Sequence, residues 1–184
     1  MKTPIFATLA LLGTVHAASL IAKNGFVRFF SVTKMENIEG VSQTAVSTLD
    51  LDSGKIAIKA RNSTFIFPDK LMQEHFNENY MESEKFPVSA FYGTVTGIDK
   101  SALDAGKIVP VTVAGDLDVH GVKKHYTTTG TLQKGSNGSV SGETKFHVKI
   151  ADHGIKVPSI VMAKIADSME ITARFAWRAA ETAK

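Results

Sequence analysis

Apolar and polar residues alternate most regularly between positions 108 and 132. At positions 109–119 every odd residue is valine, leucine or glycine, whereas the even residues are mostly small or polar. A period of two with one apolar face is typical of a β-strand that has one face in water. Gly121 interrupts the alternation and can adopt the positive φ of a tight turn, and a threonine-rich run follows it as a return strand. The pattern therefore predicts a long amphipathic hairpin whose apolar face has to be covered.

The same alternation predicts further strands on both sides of the hairpin. We expect them at positions 26–32, 40–48, 55–61, 90–97, 139–150 and 169–178. Met72, Phe76 and Tyr80 recur every fourth residue behind Asp69, a suitable N-cap, and predict one short amphipathic helix over 70–81. About eight strands with charged outer faces, without an internal repeat or a linker, predict an all-β domain that is either a closed antiparallel barrel or a sandwich.

The apolar faces of these strands predict which side chains fill the interior. Each such residue alternates with charged or hydroxylated neighbours, so these side chains should point inward together. A barrel of about eight strands can be filled by its own side chains or can hold one small ligand. If it holds a ligand, we expect the apolar lining to comprise Val27, Phe29, Ile56, Ile58, Phe65, Phe67, Phe91, Val111, Val113, Gly115, Leu117, Phe146, Val148, Ile171 and Phe175.

The first residues have the pattern of a targeting segment. Lys2 supplies a positive charge, positions 5–15 form an apolar stretch too short to span a bilayer, and Ala17 offers a small residue for cleavage. We therefore expect residues 1–17 to be a signal peptide and residues 18–184 to form one exported domain, located in the periplasm or secreted. No later stretch is long and apolar enough to cross a membrane as a helix.

The composition argues for an ordinary folded domain and against several classes of function. The 184 residues are 43% hydrophobic and 21% charged, which is too apolar for a disordered chain. The net charge of +3 is too small to suggest binding to nucleic acid. The chain contains no cysteine and no Gly-x-Ser-x-Gly motif, and its apolar faces carry no ionisable residue. We therefore expect neither an enzyme nor a cofactor.

The histidines do not predict a metal site. Glu74, His75 and Glu78 share the predicted helix, but no further ligand can be identified, so they are interpreted as a solvated helix face. His120 and His125 flank the hairpin turn, and the two lysines between them would repel a cation. We expect these two histidines to lie on the surface.

Three lysines lie near turns and strand ends, namely Lys123, Lys124 and Lys149. They can form a rim that contacts the head group of a ligand, if that head group is anionic. The alternative is that they are ordinary solubilising side chains.

Three segments of the chain resemble the YceI-like family of exported bacterial proteins. They are LMQEHFNENYMESEKFPVSAF at 71–91, GDLDVHGVKK at 115–124 and FHVKIADHGI at 146–155, and the final strand continues the resemblance. The resemblance implies a lipocalin-like antiparallel barrel whose apolar interior binds a polyisoprenoid or a similar long-chain lipid. His153 departs from the family pattern, which has an aromatic residue there, and Ile150 stands where many members have an arginine. A head-group contact is therefore not carried over to these positions.

The sequence features bear on four possible functions. The leading hypothesis is an exported lipid-binding protein that shields a long isoprenoid or quinone-like chain inside the barrel. The alternative is a structural or stress-linked interaction protein with a solid core and no tunnel ligand. A small outer-membrane barrel would need aromatic girdles, whereas the chain has 1 Trp and 3 Tyr, and an enzyme would need a nucleophile or a metal cluster. An oligomer is compatible with the sequence.

Overall fold

The computed structural model describes residues 19–180, so the expected signal peptide lies outside the described residues. Eight strands follow one another around a closed antiparallel barrel, and the last strand pairs with the first. This confirms the predicted fold and excludes the sandwich. The strands are β1 (Leu20–Val32), β2 (Asn37–Leu49), β3 (Lys55–Arg61), β4 (Val88–Thr96), β5 (Val109–Val119), β6 (Val122–Lys134), β7 (Val140–Lys149) and β8 (Ser168–Ala179).

Strand β1 begins six residues earlier than the alternation predicts. Its register with β2 shifts between Ala22 and Gly25 and again between Gly25 and Val27. Such bulges place an extra residue on one strand and break the period of two without ending the pairing. The alternation of apolar and polar residues is therefore interrupted between Ala22 and Val27, although the strand continues through these residues.

The long connection between β3 and β4 contains the predicted helix, whose first part is α1 (Lys70–His75). The Asp69 side chain caps it by accepting a hydrogen bond from the Met72 backbone N–H at 3.0 Å. From Phe76 to Tyr80 the helix widens, and the Met81 N–H donates to the Phe76 carbonyl at 2.8 Å, five residues back. A second helix, α2 (Lys100–Asp104), lies between β4 and β5. Its five residues are too few to produce a helical period in the sequence.

The antiparallel order divides the connections between two ends of the barrel. One end, called here the closed end, carries the turns at 50–54 and 135–139 and the connection that contains α2. The other end, the open end, carries the β1–β2 turn, the long β3–β4 connection, the β5–β6 hairpin turn and the β7–β8 connection at 150–167. The longest connections therefore meet at the open end.

The β5–β6 hairpin turn confirms the role predicted for Gly121, which has a φ of 73°. His120 before it also has a positive φ of 53°, a conformation that few non-glycine residues adopt. Two consecutive residues with positive φ match the right-handed twist of the flanking strands. The hairpin is therefore tight, and it projects the His120 side chain toward the other connections of the open end.

The half of the barrel next to the closed end has a solid core. Trp177 stacks on Phe175 with ring centroids 5.5 Å apart, and its indole N–H donates to the Ser47 hydroxyl at 3.0 Å. Leu103 of α2 is 2% exposed, so the helix covers this end with an apolar side chain. Other buried members of this core are Leu49, Ile56, Val95, Val109, Val111, Leu132 and Val140.

Candidate ligand cavity

The half of the barrel next to the open end encloses a cavity of about 500 Å³. This volume falls within the range of roughly 300–1,000 Å³ that is common for small-molecule sites. The lining residues of β5 run from Val113 to Val119, which corresponds to roughly 20 Å along the strand at about 3.3 Å per residue. The cavity is thus deep, apolar for most of its wall, and confined to one half of the barrel.

Part of the cavity wall lies where β4 and β5 pair. Gly93 is directly opposite Gly115, and the ring of Phe91 covers both. A Cβ atom on Gly115 would come within 2.9 Å of the Phe91 ring and would also collide with the backbone of β4. The two glycines therefore make room for the Phe91 ring, which borders the cavity.

An aromatic cluster forms one wall. Phe29 of β1 contacts Phe65, Phe67 and Phe76, with ring centroids 5.2–5.6 Å apart. Phe76 belongs to the widened part of the helix and also contacts Phe65 and Phe67. Such tilted and stacked pairs contribute about 0.5–1.5 kcal/mol each beyond the area they bury. The cluster holds the β3–β4 connection against the barrel and gives the cavity a rigid apolar side.

The opposite wall carries a polar strip, which consists of Tyr126, Thr128, Thr144 and His153. The side chain of His153 is fully buried, with its Nδ1 2.9 Å from the Val122 carbonyl oxygen and its Nε2 3.0 Å from the Tyr126 hydroxyl. The Tyr126 ring is parallel to the His153 ring and tilted against Phe146. Burial raises the pKa of Tyr126, so its hydroxyl is neutral at physiological pH.

Charged groups at the mouth are engaged with one another or with the backbone. Lys164 lies 3.5 Å from Glu36, and the Asp69 carboxylate caps α1. In the part of the chain that the structure describes, Lys164 is the only lysine or arginine that borders the cavity. Among residues 19–180, the cavity wall itself thus offers a ligand one cationic side chain, and that side chain is already paired with Glu36.

A hydrogen-bonded link joins three connections of the open end. His120 Nε2 lies 2.7 Å from the Glu82 carboxylate, and His120 Nδ1 lies 3.3 Å from the carbonyl oxygen of His153. Both partners are hydrogen-bond acceptors, so the imidazole is the donor in each contact it makes with them. The hydrogen bond from His120 lowers the pKa of Glu82. Among residues 19–180, Glu82 and His120 are the only two non-glycine residues with positive φ.

This link corrects one sequence-based expectation. The His120 side chain is 14% exposed and packs on Phe86, with ring centroids 4.5 Å apart, so it is not a surface histidine. His125, by contrast, is 64% exposed and faces Asp116, as expected. Alternation along the strand could not distinguish these two, because the partners of His120 come from distant connections.

Most of the residues that the sequence assigns to the lining do border the cavity. Their contact with a ligand stays a prediction. They are Val27, Phe29, Ile58, Phe65, Phe67, Phe91, Val113, Leu117, Phe146, Val148 and Ile171.

Four residues of that set lie elsewhere. Ile56, Val111 and Phe175 belong to the solid core, and Gly115 lies beneath the Phe91 ring. The expectation that they line the cavity is thereby corrected. A period of two identifies the inward face of a strand, but it carries no information on depth along the barrel.

The three lysines proposed for a head-group rim are exposed, and none borders the cavity. Lys124 pairs directly with Leu117, which places it on the inward face near the open end, whereas Lys123 pairs with Asp118. Lys149 lies at the end of β7. A role for them in binding stays a prediction.

Sequence reasoning missed two groups that matter for the cavity. Tyr126 and Thr128 share the alternation of β6, so the period-two rule could have included them in the lining. His153 lies in a single helical turn after β7, where no period exists. Its only signal was that it replaces an aromatic residue of the resembling family, and Ile150, the other departure, borders the cavity as well.

Residues 19–180 contain no group of three or more His, Cys, Asp or Glu side chains that could hold a metal ion. Within the same range, no helix has both the length and the apolar character needed to cross a membrane.

A family model described as a YceI-like domain matches residues 16–177. No curated protein sequence matches the chain. Among solved structures, the chain is similar to a polyisoprenoid binding domain from Saccharophagus degradans implicated in plant cell wall breakdown. The two are 16% identical with a TM-score of 0.74, over 89% of this chain and 98% of the other.

Two other solved structures share the fold. Burkholderia cenocepacia BcnA is 14% identical with a TM-score of 0.69, over 83% of this chain and 95% of that protein. A Campylobacter jejuni YceI protein is also 14% identical, with a TM-score of 0.56 over 95% of this chain and 91% of its own. At these identities the likeness extends to the barrel architecture.

Proposed function

The chain belongs to the family of YceI-like domains, and from this premise we propose that it is a lipid-binding protein that holds a polyisoprenoid or a similar long apolar chain in its barrel. The observation that carries the proposal is the apolar cavity of about 500 Å³, open at one end and closed by the solid core at the other. The polyisoprenoid-binding domain that shares the fold supports the same class of ligand.

The physical basis of binding is the removal of an apolar chain from water. Each buried CH₂ group contributes about 0.8 kcal/mol, so a chain that lies along the cavity wall gains binding energy with every unit that enters. Because the solid core closes the other end, the chain enters from the open end and one of its ends stays near the mouth or the polar strip. The barrel therefore takes up the apolar chain from one end only.

The hollow half favours this role over that of an interaction protein with a solid core. The family and its polyisoprenoid-binding relative also favour binding over catalysis. We further propose that the protein is exported after removal of residues 1–17. The intact mass of the protein recovered from the periplasm or medium tests that cleavage.

Native mass spectrometry tests the binding proposal. The purified protein, incubated with geranylgeraniol, is expected to carry one lipid per barrel. Leu117→Trp places a large ring in the cavity and is expected to abolish this adduct, whereas Thr127→Trp adds the same ring to the exposed outer face of β6 and should not. Equal lipid loading of both variants, or no loading of the wild type, would contradict the proposal.

A further inference from the structure

The polar strip of the cavity has a fixed hydrogen-bonding direction. His153 Nδ1 faces the carbonyl oxygen of Val122 at 2.9 Å, and a carbonyl oxygen can only accept. An imidazole with one ring hydrogen therefore carries it on Nδ1, and Nε2 is left as an acceptor. The Tyr126 hydroxyl, 3.0 Å from that Nε2, must donate its single hydrogen to it.

The hydrogen bonds of the two threonines run in the same direction. Thr144 donates its hydroxyl hydrogen to the Thr129 carbonyl at 2.8 Å. Thr128 has the Lys145 carbonyl at 3.2 Å as its nearest acceptor. Each of the three hydroxyl groups of the strip thus directs its hydrogen toward the protein. What remains available to a ligand is the lone pairs on their oxygens, which only accept hydrogen bonds.

An anionic group finds no partner on this wall. Lone pairs repel a phosphate or a carboxylate, and the one lysine that borders the cavity among residues 19–180 is paired with Glu36. An ether, a quinone or another group that only accepts hydrogen bonds cannot form a hydrogen bond with the strip, because neither side supplies the hydrogen. A neutral hydroxyl or a primary amide, in contrast, can donate to Tyr126 while its carbon chain lies on the phenylalanines of the opposite wall.

From this arrangement we infer that the cavity selects a long-chain lipid with a neutral, hydrogen-donating head group, the simplest being a long-chain alcohol, and that Tyr126 is the residue that receives its hydrogen bond. The inference rests on the proposed lipid-binding function. It assigns to His153 a positioning role, because the acceptor at its Nε2 determines which way the Tyr126 hydroxyl points.

A competition experiment tests the inference. Geranylgeraniol and its methyl ether, which has the same chain but no donor, are offered at equal concentration, and the ratio of the two adducts is read by native mass spectrometry. A single hydrogen bond is worth about a two- to tenfold preference. We expect the alcohol-to-ether ratio of the wild type to exceed that of Tyr126→Phe by this factor. Tyr92→Phe, a change on the exposed outer face, should leave the ratio unchanged.

A second variant tests the direction of the hydrogen bond. His153→Phe removes the acceptor and frees the Tyr126 hydroxyl to donate, so the preference should shift toward the ether. An equal ratio in the wild type and in Tyr126→Phe would overturn the inference while leaving lipid binding intact. Preferential loading of geranylgeranyl phosphate by the wild type would overturn it as well. If neither the alcohol nor the ether binds to the wild type, the proposed function itself fails.

Discussion

The two halves of the barrel are built from the same eight strands but fill their interior differently. In the closed half, Phe175 and Trp177, neighbours on the inward face of β8, stack on each other, and Leu103 of α2 covers the end. In the open half, four phenylalanines, including Phe29, gather on one wall, and threonines occupy part of the other wall. The number of strands therefore does not decide whether such a barrel is hollow. The placement of its aromatic residues does.

The largest expected effect comes from removing a matched phenylalanine in each half. Phe175→Ala deletes a ring that is 5% exposed in the solid core and is expected to lower the free energy of unfolding by about 3–5 kcal/mol. Phe146→Ala deletes a ring that borders the cavity and should cost only about 1–2 kcal/mol, since fewer atoms surround it. Denaturant unfolding without added lipid measures both values. Equal losses would show that the two halves do not differ in packing.

A smaller and more selective effect is expected from two valines that lie two residues apart on β5. Val111→Phe overpacks the solid core and should destabilise the protein by about 1–3 kcal/mol. Val113→Phe extends into the cavity, so its free energy of unfolding should stay near that of the wild type while lipid loading falls. The melting temperature and the lipid adduct are measured on the same samples. If Val113→Phe strongly destabilised the protein, this result would contradict the placement of Val113 at the cavity.

The smallest effect concerns a carboxylate at each end. His120 lowers the pKa of Glu82 from 4.5 at the open end, and backbone N–H groups of Ser53 and Asp52 lower the pKa of Asp50 from 3.8 at the closed end. A lowered folded-state pKa means that each carboxylate stabilises the fold above its unfolded pKa, and that this contribution is lost as the pH falls through the folded pKa.

Glu82→Gln and Asp50→Asn should therefore each lower the melting temperature slightly at pH 7, and the difference from the wild type should vanish once the pH falls below the folded-state pKa of the carboxylate. Hydrogen exchange distinguishes the two ends. Glu82→Gln should speed amide exchange in the connections around the mouth, whereas Asp50→Asn should speed it in the turn at 50–54. Faster exchange at the closed end in Glu82→Gln would contradict the role assigned to the link.

The strand pattern of this protein was predictable because one face of each strand is buried and the other is wet. The alternation of apolar and polar residues predicted the observed bounds of β3 and placed Val111 and Val113 on the same face of β5. It could not separate the two valines, because depth along a strand depends on which distant side chains lie beside it. Val113 borders the cavity whereas Val111 lies in the solid core, and this difference depends on strand pairing and packing that no local pattern encodes.

The chemistry at the cavity wall was less predictable than the fold. His153 acquires its role from Val122 and Tyr126, which lie 31 and 27 residues away in the chain. The same holds for His120, whose partner Glu82 is 38 residues distant. The sequence does not show whether a polar side chain in a connection is solvated or buried, because only the folded barrel determines which connections meet.

The pairing of β1 with β8 has a consequence for how the protein folds. It joins Leu20 to Ala179, residues from opposite ends of the described chain, so the barrel closes through its least local contacts. Non-local strand pairing slows folding, and until it forms both strands present unpaired backbone groups that can recruit another chain. We expect a slow final folding step during which the chain is prone to aggregate, and native protein that, once closed, offers no free strand edge within the barrel for another chain to join.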